Sequence, residues 1–118
     1  MLRLGFTALA LVLASPLAAE TPLTLLDGQP PGFMATLSLD DAGLVQGRAP
    51  CNRYSARWMG PLPTITLDAI LSTKMACPEI DAEQRFFELL SLMDHAETAG
   101  DSVTLSGAGH VLVFSRLP

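Results

Sequence analysis

The only two cysteines of the chain, Cys51 and Cys77, bracket a segment that opens Cys51-Asn52-Arg53-Tyr54 and closes Ser72-Thr73-Lys74-Met75-Ala76-Cys77-Pro78. If the two sulfurs join, closing that loop stabilises a folded domain by roughly 3.5 kcal/mol, through the entropy it removes from the unfolded chain. Whatever lies between must then be compact. The residues fit two strands and an irregular return, closed at the doorstep of a helix. Two free thiols are the alternative, because spacing alone does not bring the Cβ atoms together. A redox-active pair is not indicated, since no Cys-x-x-Cys spacing is present to depress a thiol pKa.

The compartment favours the bridge. Met1-Leu2-Arg3 is followed by an apolar run from Leu4 to Ala14, then Pro16 and the small residues Ala18-Ala19 before Glu20. A positive start, a short apolar core and a small-residue cut describe a secretory signal peptide over residues 1–19. The run is too short for a membrane span, which needs about 20 residues. Residues 20–118 then remain as a single domain, exported to the periplasm or beyond, where disulfides persist. Removing Arg3 leaves six basic against twelve acidic residues, a formal charge of −6. Such a charge repels phosphate backbones and anionic lipid, which argues against nucleic acid and membrane surface as partners.

Leu23 to Leu26 reads as a first strand, ended by Asp27-Gly28 and Pro30-Pro31-Gly32 turn chemistry. Phe33, Ala35, Leu37 and Leu39 alternate with polar positions, and Leu44 to Arg48 returns after the Asp40-Asp41-Ala42-Gly43 turn. Pro50 forces a break before Cys51. Beyond it, Asn52, Tyr54, Ala56 and Trp58 lie on the inner side of a strand, with Arg53, Ser55 and Arg57 outside. A further strand covers Thr64 to Ala69, with Ile65, Leu67 and Ala69 inward. Glu79 to Asp94 is an amphipathic helix with Ile80, Phe86, Phe87, Leu89, Leu90 and Met93 on the apolar stripe. Glu83, Glu88 and Asp94 mark its wet side, and Asp81 with Gln84 offers a capping box. Short strands at Ala96–Thr98 and Val103–Leu105, a Ser106–Gly109 turn and a last strand His110–Arg116 close the chain. Val111 to Phe114 is apolar on both faces, which marks that strand as central and covered on both sides. The expected class is α+β: a strongly curved, mostly antiparallel sheet of six to seven strands packed with one amphipathic helix.

Cys-Asn-Arg-Tyr at 51–54 and Ser-Thr-Lys-Met-Ala-Cys-Pro at 72–78, joined by two strands and followed by a helix, resemble the META domain, the HslJ-like family of secreted bacterial proteins. Leu112-Val113-Phe114-Ser115-Arg116 is similar to that family's closing strand. The resemblance implies a non-enzymatic envelope protein of heat-shock or stress type, acting as a binding or protective module.

Candidate chemistry is sparse. Ser72 and Lys74 suggest a Ser–Lys hydrolase, but the pair is one residue short of Ser-x-x-Lys and precedes the helix. His95 and His110 stand far apart, without zinc-ligand spacing, so neither metal nor cofactor is expected. Charge is segregated: Arg48, Arg53, Arg57 and Lys74 face only Asp68 within residues 48–74, whereas residues 79–101 carry seven acids against Arg85. Arg53, Arg57 and Lys74 form a candidate patch for a carboxylate or an acidic partner. Pairing of these cations with neighbouring acids is the plainer alternative. The expected protein is a monomeric binding module for an envelope protein or cell-envelope component, with a small-ligand carrier using the cationic strand face, or a hydrolase, as alternatives.

Overall fold

In the computed structural model, which describes residues 20–116, the alternating segments become strands and the apolar stripe becomes one helix. Strands β1 (Thr21–Leu26), β2 (Thr36–Leu39), β3 (Leu44–Arg48), β4 (Arg53–Met59) and β5 (Thr66–Ser72) form a meander. Helix α1 (Ile80–Leu92) follows, and β6 (His95–Ala99), β7 (Ser102–Gly107) and β8 (His110–Ser115) end the fold. The stretch assigned to a signal peptide, residues 1–19, lies outside the described residues.

β8 pairs with β1, so the sheet order is β5-β4-β3-β2-β1-β8-β7-β6, with antiparallel pairing throughout. The two outer strands meet at one end. Ile65 N–H donates to the Asp94 carbonyl at 3.0 Å, and Ala96 N–H donates to the Pro63 carbonyl at 2.8 Å. The sheet therefore curls into a partly closed barrel, as the right-handed twist of antiparallel sheets favours. Its α+β class and curvature agree with the sequence reading, but there are eight strands where six or seven were expected. β6, expected as a short strand over Ala96–Thr98, extends by one residue at each end and runs its whole length against β7.

The helix lies against the inner side, with Phe86, Leu89 and Leu90 fully covered. Phe86 sits edge-on to Phe33 and Tyr54, at centroid separations of 6.1 Å and 5.5 Å, an arrangement favoured by aromatic quadrupoles. Leu37, Val45, Ile65, Leu105, Leu112 and Phe114 close around it. At its far end the helix presses on Gly107, where a Cβ would stand 2.1 Å from the Leu92 carbonyl oxygen, so only glycine fits.

Several local expectations need correction. β5 continues to Ser72 because it carries a bulge: Ala69 takes φ +54°, and the register against β4 shifts between Ser55 and Arg57. The extra residue turns Ala69 outward and brings Ile70 against the core in its place. The chain turns between β7 and β8 on Ala108-Gly109 alone, both at positive φ, so the turn is two residues and not four. β8 is central by pairing, yet Val111 is exposed, so it is covered on one face only. No Asp81–Gln84 box forms. Glu79 is the N-cap and makes no side-chain capping bond.

Phe86→Ala is expected to cost about 3–5 kcal/mol, by transfer and cavity terms together. Leu92→Ala, on the exposed side of the same helix, should stay within about 0.5 kcal/mol. Urea unfolding of the two variants checks the pair.

Candidate functional site

Cys51 and Cys77 are bridged, with Cα atoms 5.9 Å apart, within the range that a disulfide spans. Around the bridge the chain builds a cluster of polar groups on Asn52 and Glu83. β3 and β4 are joined by a narrow turn across Pro50 and Cys51, in which Ala49 N–H donates to the Asn52 carbonyl at 2.7 Å. The Asn52 N–H goes elsewhere. It donates to Glu83 Oε1 at 2.7 Å, beside the Cys51 N–H at 2.8 Å. Pro50 has no donor to place, so one carboxylate oxygen satisfies both N–H groups of the turn.

Glu83 thus belongs to the interior and not to the wet side of the helix. It is 3% exposed, and its second oxygen accepts from Asn52 Nδ2 at 2.7 Å. The position explains how a buried carboxylate is tolerated: it lies one turn into the helix, near the positive end of the dipole, and three N–H donors converge on it. Asn52 completes the link to the return loop. Its Oδ1 accepts from Met75 N–H at 2.7 Å and from the Thr73 hydroxyl at 2.9 Å, while Nδ2 also donates to the Met75 carbonyl at 3.1 Å. Because Met75 presents one donor and one acceptor, this pattern fixes the orientation of the amide. All four hydrogen-bonding positions of Asn52 are filled. A cavity of about 340 Å³ opens beside the cluster, between Lys74, Met75, Ile80 and Phe87.

The cationic residues divide between two places. Arg53 and Arg57 stand on the outer face of β4, both exposed, as the alternation requires. Lys74 is also exposed but lines the cavity beside Asn52, whereas Arg53 lines an adjoining trough of about 340 Å³ with Gln46, Ser55 and Leu71, the two spaces sharing Ser72 and Thr73. Arg57 lies opposite Asp68 across the β4–β5 pair. Arg53 is ion-paired with Glu20, whose other oxygen accepts from the Thr36 hydroxyl at 2.8 Å. The Arg53 guanidinium is the main cause holding the Glu20 carboxyl below its ordinary range, and Arg48 adds to it. Behind this face the Tyr54 hydroxyl donates to the Thr36 carbonyl at 2.7 Å, and burial pushes its phenol pKa far up.

Ser72 ends β5 opposite Tyr54, and Lys74 lies in the loop beyond. The histidines are held apart, His95 Nε2 at 3.2 Å from Glu97 and His110 Nδ1 at 2.8 Å from Asp27. Asp27 also accepts from the Val111 N–H at 2.8 Å. The His110 contact, then the Val111 N–H, hold its carboxyl below the usual value. Among the described residues, the one group with metal-like spacing is Cys51, Cys77 and Glu79, and both of its sulfurs are in the disulfide.

Glu83→Ala should cost at least about 3 kcal/mol, since two buried backbone donors and an amide lose a charged acceptor. Glu83→Gln keeps the oxygen that serves the turn but sets an NH₂ against Asn52 Nδ2. It should fall between the alanine variant and wild type in urea unfolding. For Asp27, a depressed folded pKa means that its contribution is complete above about pH 4 and is lost as pH falls through the folded value. Melting curves should therefore show Asp27→Asn below wild type at pH 7, with the gap closing in acid.

The fold is shared with three solved structures. A protein from Burkholderia xenovorans, solved by NMR, is 22% identical with a TM-score of 0.62, covering 95% of this chain and 94% of that one. A second NMR structure is 18% identical, also with a TM-score of 0.62, covering 87% and 95%. A DUF4847 family protein from Bacteroides vulgatus ATCC 8482, solved by crystallography, is 13% identical with a TM-score of 0.59, covering 86% and 94%. None of the curated proteins compared matches the chain. The META domain model, by contrast, matches residues 19–118, and by that match this chain belongs to the META domain family.

Proposed function

We propose that this META domain is an exported, non-enzymatic binding module of the bacterial envelope, of stress type, released by cleavage after Ala19. The observation that carries the reading is the saturation of its buried polar cluster. Asn52 has no hydrogen-bonding position left, and Glu83 is engaged by the turn it holds. A catalytic centre needs polar groups whose bonds are completed only by substrate or transition state. Here those groups hold the fold, and each histidine is engaged by a carboxylate, His95 by Glu97 and His110 by Asp27. The disulfide fits an oxidising compartment. No helix among the described residues is long and apolar enough to cross a membrane. Recognition then falls to the outer surface, where charge is segregated, and the partner is an envelope protein or cell-envelope component.

A second reading is supported by the trough beside Arg53. A guanidinium, an amide and the hydroxyls of Ser55, Ser72 and Thr73 border one space of about 340 Å³, a donor-rich setting for a small anion. Both readings exclude a role for Ser72, Lys74 or His110 in bond making. A deletion strain carrying the triple variant Ser72→Ala/Lys74→Ala/His110→Ala should recover its envelope-stress tolerance as fully as with wild type. Failure of a folded triple variant to complement would restore the hydrolase alternative.

A further inference from the structure

Arg48 and Arg53 are direct cross-strand partners at the end of the β3–β4 hairpin, and both are exposed. Like charges at paired positions of a sheet are unfavourable, by a few tenths to about 1 kcal/mol. An anion between them removes that penalty, and two guanidiniums offer ten N–H donors to receive it. The structure holds an anion on one of the two, Arg53, with Arg48 close enough to act on it through charge. Glu20, ahead of β1, reaches past β2 and β3 to Arg53, with one oxygen on the guanidinium and the other on Thr36 Oγ1. The Thr36 hydroxyl oxygen in turn accepts the Arg48 N–H at 2.9 Å. A carboxylate thus sits against groups from β2 and β4, with Arg48 alongside. The adjoining trough leaves space of about 340 Å³ for the remainder of a larger molecule.

We propose that Arg48, Arg53 and the Thr36 hydroxyl form a carboxylate-binding site on the outer face of the sheet, and that Glu20 occupies it as a built-in placeholder until an external carboxylate displaces it. The placeholder is weak by construction. The Arg53 side chain is half-exposed, at 49%, and that of Glu20 is 33% exposed, and exposed pairs contribute about 0.2–1 kcal/mol. An incoming carboxylate meets little resistance, and it can use donors that the single Glu20 side chain leaves unfilled. This site deepens the anionic-ligand reading above and rests on it. Its chemistry accepts either a small free carboxylate or the C-terminal carboxylate of a peptide.

Titrations with succinate, with trialanine and with amidated trialanine separate the sources, followed through the amide chemical shifts of Thr36, Arg48 and Arg53. Saturable shifts are expected with at least one of the free carboxylates and not with the amidated peptide. Response to trialanine alone assigns the site to peptide termini, and response to succinate alone to small acids. Glu20→Gln should tighten the apparent affinity about two- to five-fold, the worth of one exposed pair. Arg53→Gln should abolish the saturable shifts in either background, with circular dichroism confirming that both variants fold. Equal affinity in wild type and Glu20→Gln overturns the placeholder role while leaving an anionic face in place. Binding that survives Arg53→Gln, or equal binding of the amidated peptide, overturns the site. No response from any carboxylate in Glu20→Gln overturns both the site and the anionic-ligand reading.

Discussion

A single buried carboxylate ties the two halves of this fold together. Glu83 projects from the first turns of α1 and accepts the backbone N–H groups of Cys51 and Asn52 in the β3–β4 turn. A hairpin turn as narrow as this one ordinarily closes with reciprocal backbone bonds. Here one of the two is made, from Ala49 to Asn52, and the helix supplies the acceptor for the other donor. The disulfide fixes the same corner covalently, but it joins the turn to the loop and not to the helix. Sulfur and carboxylate therefore act on different seams. Closing the loop limits what the unfolded chain can explore, while Glu83 and Asn52 determine where the folded loop and helix rest against the sheet.

Much of this is legible in the sequence alone, and the remainder is not for identifiable physical reasons. Alternation located β3 to the residue and gave the correct faces of β4, because one side of each strand packs on the core and the other meets water. The Asp27-Gly28 turn was plain from its chemistry, and both residues do take positive φ. Glu83 was misassigned because helical periodicity sorts residues by polarity, and a glutamate on the flank of the stripe reads as solvated. Its burial depends on two N–H groups more than thirty positions away in the chain. One signal was available: Pro50 beside two consecutive N–H groups in a turn leaves donors that a neighbouring acid must serve. Ala69 was misplaced for a different reason. A bulge shifts the period by one, and nothing in Leu67-Asp68-Ala69-Ile70 marks the shift before the register with β4 is known.

The cationic patch shows the limit of reading charge from strand faces. Arg53 and Arg57 do share a face, but the face is not uniform in its surroundings. Arg53 lies near Glu20, while Arg57 lies opposite Asp68 across the sheet. Lys74, which the sequence groups with these two arginines, opens on the cavity beside Asn52. Arg48, on the neighbouring strand, is the true companion of Arg53. Register, which one sequence does not disclose, is what selects the pair.

The interior of the curled sheet bears on where recognition can occur. Barrels of about eight strands either fill their interior with side chains or keep room for one small ligand. This one is filled: Phe86, Leu89 and Leu90 enter from the helix, and Leu37, Val45, Leu112 and Phe114 meet them from the strands, all at or near zero exposure. A helix that completes the core in this way takes the space that a ligand-carrying barrel leaves open. The buried polar groups of Asn52 and Glu83 bond to each other, to the Thr73 hydroxyl and to the backbone. Under the proposed binding role, a filled core and a saturated polar corner leave the outside of β3 and β4, where Arg48, Arg53 and Arg57 are exposed, as the face for recognition. A domain of this size reaches stability by using its inner face completely, because so short a chain has little other apolar surface to bury.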